Sequence, residues 1–237
     1  MLAAVAAASL SGCSSERGPA SQCRTPGEMV AFSAVGGGRL GYETSGRAGS
    51  MRADPGFVGQ LNAWAKDWAS LSGYGRITEL WSYGAFTDKC GSWHQVGRAF
   101  DIARVKHGRT LVSCRFDAWQ PGSRQQLRDY WRLAASLHLH FAYTLCYPYD
   151  AAHANHIHID NSISGNALST FDSGSRVQVQ LVQQACRHVH GVDAPSTEVF
   201  DDATRDAVRA VQRTRGLSRP LADAEGWRSF LRATAKG

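Results

Sequence analysis

Apolar residues recur at every third or fourth position between residues 57 and 71, which predicts a helix with one apolar face. The residues on this face are Phe57, Leu61, Trp64, Trp68 and Leu71. Asp54 and Pro55 fit the N-cap and the first helical position, and Gly73 follows the last apolar position. Aromatic stripes of this kind are more often core than ligand platforms, so we expect this face to pack inside the protein.

A second helix and four strands follow from the same kind of pattern. Residues 123–137 carry apolar side chains at helical spacing, namely Leu127, Tyr130, Trp131, Ala134 and Leu137. Short β-compatible runs predict strands at 77–83, 98–105, 140–147 and 156–160. The order helix, strands, helix, strands predicts an α+β fold with an antiparallel sheet and flanking helices.

The composition changes along the chain and suggests its organisation. Ser, Gly and Asn dominate residues 161–175, which is typical of a linker. Amphipathic helices are predicted near 176–188 and 202–214, with a short third helix around 227–231. The predicted units are a tether and irregular segment at 14–50, a first domain at 51–162, a linker at 163–175 and a small three-helix domain at 176–237.

The amino-terminal residues have the pattern of an export signal. The apolar run LAAVAAASL, residues 2–10, is too short to span a bilayer and ends in small residues, as secretory signals do. LSGC, ending at Cys13, resembles the bacterial lipoprotein box, in which the cysteine is lipidated. The alternatives are an ordinary signal or a buried segment. We expect residues 1–13 to be a lipoprotein signal, and the protein to be anchored through Cys13 outside the bacterial cytoplasmic membrane or to lie in the cell wall.

The net charge bears on the partners. The chain has 237 residues, 43% of them hydrophobic, so it can bury a substantial core. Its formal charge of +6 favours nucleic acid, membrane headgroups or an acidic cell-wall polymer as a partner. The arginines are scattered, and export would remove the usual nucleic-acid target. We therefore expect no nucleic-acid partner. We also expect the protein to be a monomer.

Export would place the cysteines after Cys13 where disulfides can form. These five residues are Cys23, Cys90, Cys114, Cys146 and Cys186. Because five is odd, at least one is unpaired or bonds outside the chain. Cys114 with Cys146 and Cys23 with Cys90 are candidate bridges, and the sequence does not fix the pairing.

The candidate chemistry lies in two stretches, SWHQVGRAFD at 92–101 and HANHIHID at 153–160. In a strand alternate side chains share a face, so His156 and His158 would point one way and the isoleucines between and after them the other. Catalytic zinc sites use three protein ligands and leave one position to water. His94, Asp101 and His158 would make such a set, although isolated histidines are more often surface or core residues. The remaining histidines are expected to be structural or on the surface.

These stretches carry a resemblance to a known family. Residues 92–101 match the SxHxxGxAxD signature of the LAS zinc peptidases, the superfamily of D-Ala-D-Ala carboxypeptidases, lysostaphin-type endopeptidases and hedgehog domains. His156 and His158 supply the second signature, HxH. The phrase AYTLCYPYDAAHANHIHID is most similar to the extensin-like C-terminal family within that group, and the resemblance covers about residues 50–162.

The resemblance implies a LAS/hedgehog-like fold and a role for each residue of the site. His94, Asp101 and His158 are expected to hold Zn²⁺, and His156 falls on the position of the catalytic base. His153 completes an HxxHxH pattern similar to the murein endopeptidase branch, where the extra histidine also lines the site. Gly97 is expected to allow a close backbone approach beside the ligands, unless it is a simple turn glycine.

Residues 176–217 resemble the peptidoglycan-binding domain 1 family, mainly in FDDATRDAVRAVQ, residues 200–212, and in the closing Gly216 and Leu217. They depart from it at 195–200 and at Val211, where the family usually has an Asp-Gly turn and an aromatic residue. The resemblance implies a module that binds peptidoglycan. A packing appendage is the alternative.

The expected function is an exported zinc-dependent peptidase that cleaves peptidoglycan stem peptides or crosslinks. LAS carboxypeptidases similar to this chain carry an arginine shortly before SxH, which can grip a substrate carboxylate. Here SYGAFTDKCGS, residues 82–92, has Lys89 and no arginine, and Arg76 lies farther upstream. We therefore favour an endopeptidase over a carboxypeptidase. The alternative function is a non-catalytic, zinc-stabilised cell-wall-binding protein.

Overall fold

The computed structural model describes residues 23–237, which form ten strands and six α-helices in an α+β arrangement. The strands are β1 (Val30–Phe32), β2 (Ala34–Val35), β3 (Gly38–Tyr42), β4 (Arg47–Ala48), β5 (Met51–Ala53), β6 (Glu79–Gly84), β7 (Ala99–His107), β8 (Thr110–Ser113), β9 (Tyr143–Leu145) and β10 (Ile157–Asp160). The helices are α1 (Pro55–Ser72), α2 (Phe116–Trp119), α3 (Arg124–His140), α4 (Arg176–His188), α5 (Asp202–Arg215) and α6 (Ala224–Lys236). Short 3₁₀ helices lie at Pro26–Glu28 and Ala151–His153.

The main sheet has eight strands and is mostly antiparallel. Its order is β2, β3, β6, β7, β10, β9, with β4 paired to β3 and β8 paired to β7. The β3–β6 pair is parallel, and β1 and β5 form a separate two-stranded antiparallel ribbon. The predicted α+β class with an antiparallel sheet is thus confirmed. Since β7 and β10 lie side by side within the sheet, their facing side chains are held close together.

Helix α1 begins and ends where the sequence predicts. The Asp54 carboxylate accepts hydrogen bonds from the backbone N–H groups of Gly56 and Phe57, and Pro55 occupies the first helical position. Gly73 closes the helix in the left-handed conformation at φ 73°. Trp64 is buried against α3, where its Nε1–H donates to Ser136 Oγ at 3.0 Å. The aromatic stripe is therefore core, as predicted.

The amino-terminal part of the described chain contains more regular structure than the sequence indicates. The segment 14–50 was expected to be irregular, but residues 30–48 form β1 to β4. Gly36 and Gly37, both at positive φ, make the two-residue turn that joins β2 to β3. Leu40 of β3 is fully buried. A glycine-rich composition suggests a loop, whereas here the glycines close a hairpin between strands too short to show a period.

The two faces of β10 are divided as predicted. Ile157 and Ile159 lie in the hydrophobic core, while His158 lies between them in sequence and pairs across the sheet with Asp101. The strand begins at Ile157, so His156 lies immediately before it. The core of the molecule is thus on one side of β10, and the histidine chemistry is on the other.

Helices α4, α5 and α6 do not stand apart from the preceding sheet and helices. Both α4 and α6 pack against α3, and Trp227 of α6 belongs to the same hydrophobic cluster as Trp131 of α3. Arg132 of α3 donates from Nε to the carbonyl oxygen of Ala235 at 3.0 Å. Helix α6 has 13 residues, so it is longer than the short third helix predicted around 227–231. One hydrophobic cluster therefore includes residues of both predicted units.

The predicted linker at 163–175 is also packed. The backbone N–H of Ser169 donates to the Leu139 carbonyl at 3.0 Å, and the Ser169 hydroxyl accepts from Trp227 Nε1 at 2.8 Å. The Phe171 ring packs on Trp227, with ring centroids 5.1 Å apart. A Ser/Gly-rich segment is therefore part of the joint between α3 and α6.

The five cysteines within residues 23–237 divide into one bridge and three thiols. Cys23 and Cys90 form a disulfide, which was one of the two candidate pairings. Cys114 and Cys146, the other candidate pair, are free buried thiols, as is Cys186. The lipoprotein box ending at Cys13 lies outside the described residues. Within residues 23–237, none of the helices has the length and apolar character that crossing a membrane requires.

Candidate metal centre

Three side chains from three segments meet near the start of β7. His94 comes from the loop between β6 and β7, Asp101 from β7 and His158 from β10. His94 Nε2 lies 3.4 Å from Asp101 Oδ1 and 3.2 Å from His158 Nδ1. His158 Nδ1 lies 2.9 Å from Asp101 Oδ1. The three predicted ligands therefore form a group whose donor atoms could together hold a metal ion.

Further hydrogen bonds set the direction in which each histidine presents its nitrogen. His94 Nδ1 lies 2.6 Å from the Ala85 carbonyl oxygen, which can only accept, so Nδ1 carries the proton and Nε2 faces the other ligands. His158 Nε2 lies 3.3 Å from Asp160 Oδ2, which leaves Nδ1 facing Asp101. Asp160 is fully buried, and its Oδ1 accepts from the backbone N–H of Ser162 at 2.9 Å. Partners of this kind orient metal-binding histidines in proteins.

The electrostatics of the group favour a positive charge at its centre. Burial by itself would raise the pKa of Asp101, but hydrogen bonds from His158 and His94 outweigh it and hold that pKa well below its ordinary value. Burial alone would lower the pKa of His158, yet hydrogen bonds to Asp101 and Asp160 raise it to about 10. The fully buried carboxylate of Asp160 and the partly buried one of Asp101 thus favour a cation beside them, either a proton on His158 or a metal ion.

His153 and His156 border the same cavity without belonging to the three-residue group. His156 Nε2 lies 3.6 Å from Asp101 Oδ1, and its Nδ1 lies 2.6 Å from Asn155 Oδ1. His153 Nδ1 lies 2.7 Å from Asp150 Oδ1. The centroids of the His153 and His156 rings are 5.2 Å apart. Burial is the largest of the effects that lower the pKa of His156 to about 4. The structure therefore brings all five predicted site residues together.

The cavity has a volume of about 200 Å³ and no basic side chain other than histidine among the described residues that line it. Its lining consists of His94, Asp101, Leu145, His153, His156 and His158. Lys89 is exposed to solvent and does not line it. The ring of Tyr83 packs on that of His156, with 5.8 Å between the centroids. Burial raises the pKa of Tyr83, and the charge of Arg115 lowers that pKa by less.

The guanidinium of Arg115 is already engaged by two carboxylates. It donates from Nη2 to Asp117 at 2.9 Å and from Nη1 to Glu43 at 3.2 Å. Its Nε also donates to Asp117, at 2.9 Å. Because both edges of the fork are paired within the chain, little of it remains free for another carboxylate.

The loop that carries His94 is held in place at several points. Cys90 is bonded to Cys23, and the carbonyl oxygen of Gly97 accepts from the backbone N–H of Asp54 at 2.9 Å. Gly97 has φ 71°, and a Cβ there would lie 2.7 Å from that same nitrogen of Asp54. The expected close approach at Gly97 is confirmed, and the turn conformation holds as well. Position 97 therefore requires glycine for both reasons.

The sequence reasoning missed several residues of the site. Asp160 lies two positions after His158, so the same period of two that groups the histidines already placed it on their face. Asp150 and Asn155 flank His153 in sequence, but only the turn around the 3₁₀ helix makes them hydrogen-bond partners of the histidines. Tyr83 and the carbonyl of Ala85 gave no signal in the sequence, because only the fold brings them next to His156 and His94.

The comparison with known proteins adds no relative. The chain matches no protein-family model, no curated protein and no solved structure. The evidence for its function therefore lies in its two motifs and in the geometry of the residues that they bring together.

Proposed function

We propose that this protein is an exported zinc-dependent peptidase of the LAS type, which hydrolyses peptide bonds in peptidoglycan. The observation that carries the proposal is the meeting of His94, Asp101 and His158, with donor atoms 2.9 to 3.4 Å apart, beside two further histidines. The order and spacing of the two motifs support it independently.

The donor set fits zinc. Zinc takes imidazole nitrogen and carboxylate oxygen at about 2.0–2.2 Å, so a tetrahedral ion would place its donors about 3.3 Å apart. The separations of 3.4 and 3.2 Å match this spacing, and the 2.9 Å pair is somewhat closer. Three protein ligands and an open cavity are typical of a catalytic site, whereas structural zinc sites are closed by four. Two histidines and a carboxylate also suit iron, so metal analysis is part of the test.

The remaining histidines supply groups that can move a proton. When bound, zinc would polarise a substrate carbonyl and lower the pKa of a bound water to about 7. The Nδ1 atom of His156 is paired with Asn155, which leaves Nε2 on the cavity side to accept a proton and pass it to the leaving amine. His153 has the same arrangement through Asp150 and lines the cavity beside His156 as a second proton carrier.

The cavity lining supports cleavage of internal or crosslink bonds over removal of a terminal residue. A carboxypeptidase needs a cation that binds the free carboxylate of its substrate, usually an arginine fork. No arginine or lysine lines the described cavity, and Arg115 is paired with Glu43 and Asp117. An endopeptidase has no need of such a cation.

The wall as target is supported by three features of the sequence. The lipoprotein box at Cys13 indicates export and anchoring at the membrane. The resemblance of 176–217 to peptidoglycan-binding domains supports a wall-binding role for α4 and α5. The net charge of +6 suits an acidic cell-wall polymer.

The test is mass spectrometry of purified peptidoglycan fragments before and after exposure to the zinc-loaded protein. We expect crosslinked fragments to split at a peptide bond, and the His94→Ala and His158→Ala variants to lose both the bound metal and the activity. Release of a single alanine would instead indicate a carboxypeptidase. Unchanged fragments in the presence of full zinc occupancy would refute the peptidase and leave a zinc-stabilised wall-binding protein.

A further inference from the structure

A second concave site is lined by different kinds of residues from those of the metal centre. It is a cleft of about 640 Å³ between the first turns of α3 and the end of α4, and it shares no residue with the metal cavity. Its lining residues on α3 are Arg124, Gln125, Leu127 and Arg128. Those at the end of α4 are Arg187, His188, Val189, His190 and Gly191. We name it the arginine cleft, and its volume falls in the range of small-molecule sites.

The arginines of this cleft lack the carboxylate partners that others in the chain have. In the part of the chain that the structure describes, no carboxylate side chain forms an ion pair with Arg124, Arg128 or Arg187. By contrast, Arg205 and Arg209 on the exposed face of α5 each pair with an aspartate three residues earlier. Three guanidinium groups thus surround one concave space without compensation by side chains.

The recorded neighbours of these arginines include neutral groups and the last residue of the chain. Arg187 donates from Nη1 to the Ser196 hydroxyl at 2.6 Å, which is a neutral partner. Gly237 lies beside Arg128 at the end of α6, and its carbonyl oxygen accepts from Arg215 Nη1 at 3.4 Å. Asp129 follows Arg128 in sequence, but it accepts from Tyr74 and Gln125 and pairs with Arg132 at 3.4 Å.

A fourth cation adds to the positive potential from the α5 side. Arg215 donates from Nε to His190 Nδ1 at 3.2 Å. Burial, and then Arg215 and Arg128, lower the pKa of His190 to about 4, so this histidine is neutral in the middle of the cluster. Leu127 and the buried Val189 give the cleft an apolar floor, which strengthens any charge interaction made there.

The number and kind of these cations define the ligand. Guanidinium forks bind phosphate and carboxylate in a bidentate manner. A single carboxylate carries one negative charge, so it would balance only one of the three guanidiniums. A phosphate or diphosphate group offers more oxygens and two or more negative charges. The cleft has room for this group together with the organic part of a ligand.

We propose that the arginine cleft binds a phosphate-bearing ligand, either soluble or at the head of a lipid, independently of the metal centre. Arg124 on α3 and Arg187 on α4 supply two exposed forks, and Arg128 is less exposed than either. This inference does not rest on the peptidase activity.

The test uses inorganic pyrophosphate as the probe, in calorimetric titrations of the full-length chain carrying Cys13→Ala, in phosphate-free buffer at low salt. The Arg124→Gln/Arg187→Gln double variant removes the two exposed forks. Arg205→Gln/Arg209→Gln is the matched control, because it removes the same charge from exposed positions on α5. We expect saturable binding to the parent, at least tenfold weaker binding to the cleft variant, and a change below about twofold in the control.

Two results would overturn the proposal: no binding of pyrophosphate by the parent chain, or equal weakening in both double variants, which would indicate unspecific attraction. Sedimentation with phosphatidylglycerol vesicles, compared with phosphatidylcholine vesicles, identifies the source of the phosphate. Vesicle binding that is lost only in the cleft variant assigns the site to a lipid headgroup. Pyrophosphate binding without vesicle binding assigns it to a soluble ligand.

Discussion

His158 lies directly opposite Asp101 in the antiparallel β7–β10 pair, and its Nδ1 is 2.9 Å from Asp101 Oδ1. Both strands have neighbours on either side, so backbone hydrogen bonds fix this pair before any metal binds. His94 comes from a loop, but the Cys23–Cys90 bridge and the turn at Gly97 restrain that loop. The group is therefore organised in advance, as tight and specific metal binding requires.

The first prediction separates the base from the metal ligands. His156 lies outside the three-residue group, so His156→Ala should keep the metal and lose turnover by roughly 10²-fold or more, as expected for a general base. Metal content and peptide hydrolysis are measured on the same preparation. His153→Ala is the companion variant. If His156→Ala retains full activity and His153→Ala does not, His153 is the base.

The second prediction concerns the buried carboxylate behind His158. Asp160→Asn keeps the shape but removes the charge that orients His158 Nε2, so we expect metal affinity to fall about 10- to 100-fold. Competition with a chromogenic chelator measures it. Asp150→Asn is the matched control, because it makes the same change behind His153, which holds no metal in this proposal. Equal affinities for the two variants would contradict the role of Asp160.

Part of the site was within reach of the sequence for a simple physical reason. Alternate side chains of a strand point to the same face, whatever the rest of the fold is. The histidines of HIHID and also Asp160 could therefore be placed together. The meeting with His94 and Asp101 depends on which strands pair and in which register. The residues themselves do not reveal that register, and the family resemblance supplied the expectation instead. Tyr83 illustrates the limit, since only the fold packs its ring against that of His156.

Helices were predicted more accurately than edge strands or the packing between units. The spacing in α1 and α4 extends over several turns, and caps such as Asp54 mark their ends. Strands of two or three residues, such as β2, are too short to show a period. An amphipathic helix reveals that one face is buried but not what covers it, so the sequence did not show that α6 packs against α3.

The third prediction tests the shared core. Trp227 is fully buried between α6 and the rest of the molecule, so Trp227→Ala should lower the free energy of unfolding by about 3–5 kcal/mol. Unfolding should remain a single transition, with the helical signal and metal release changing together. Val199→Ala is the control, because Val199 is 60% exposed and its loss should change stability by about 0.5 kcal/mol or less. Two separate transitions would show that the parts fold independently.

The fourth prediction concerns the membrane. If Cys13 is lipidated, Cys13→Ala should move the protein from the membrane fraction to the soluble fraction, because the lipid would be its principal anchor. Fractionation followed by immunoblotting measures the distribution, with the parent chain as the reference. Persistence of the variant in the membrane fraction would contradict the lipoprotein interpretation, unless vesicle binding by the arginine cleft accounts for it. Adding Arg124→Gln/Arg187→Gln to Cys13→Ala separates the two causes.

The last prediction concerns the substrate carboxylate. Charge-assisted hydrogen bonds from a cationic clamp contribute about 1.5–3 kcal/mol, or roughly tenfold or more in rate on a substrate with a free carboxylate. The described cavity contains no arginine or lysine, and the Arg115 fork is paired with Glu43 and Asp117. We therefore expect a stem pentapeptide and its C-terminally amidated twin to be cleaved at rates within about threefold.

Chromatographic rate measurements on the two peptides decide the question, and Lys89→Ala serves as the control. Because Lys89 is exposed and does not line the cavity, its removal should leave the ratio of the two rates unchanged. A large rate loss on amidation in the parent chain would overturn the endopeptidase preference. If that loss disappears in Lys89→Ala, the lysine reaches the substrate when it binds and acts as the clamp. If the loss persists, another cation does so, and Arg115 would have to exchange one of its two carboxylate partners for the substrate.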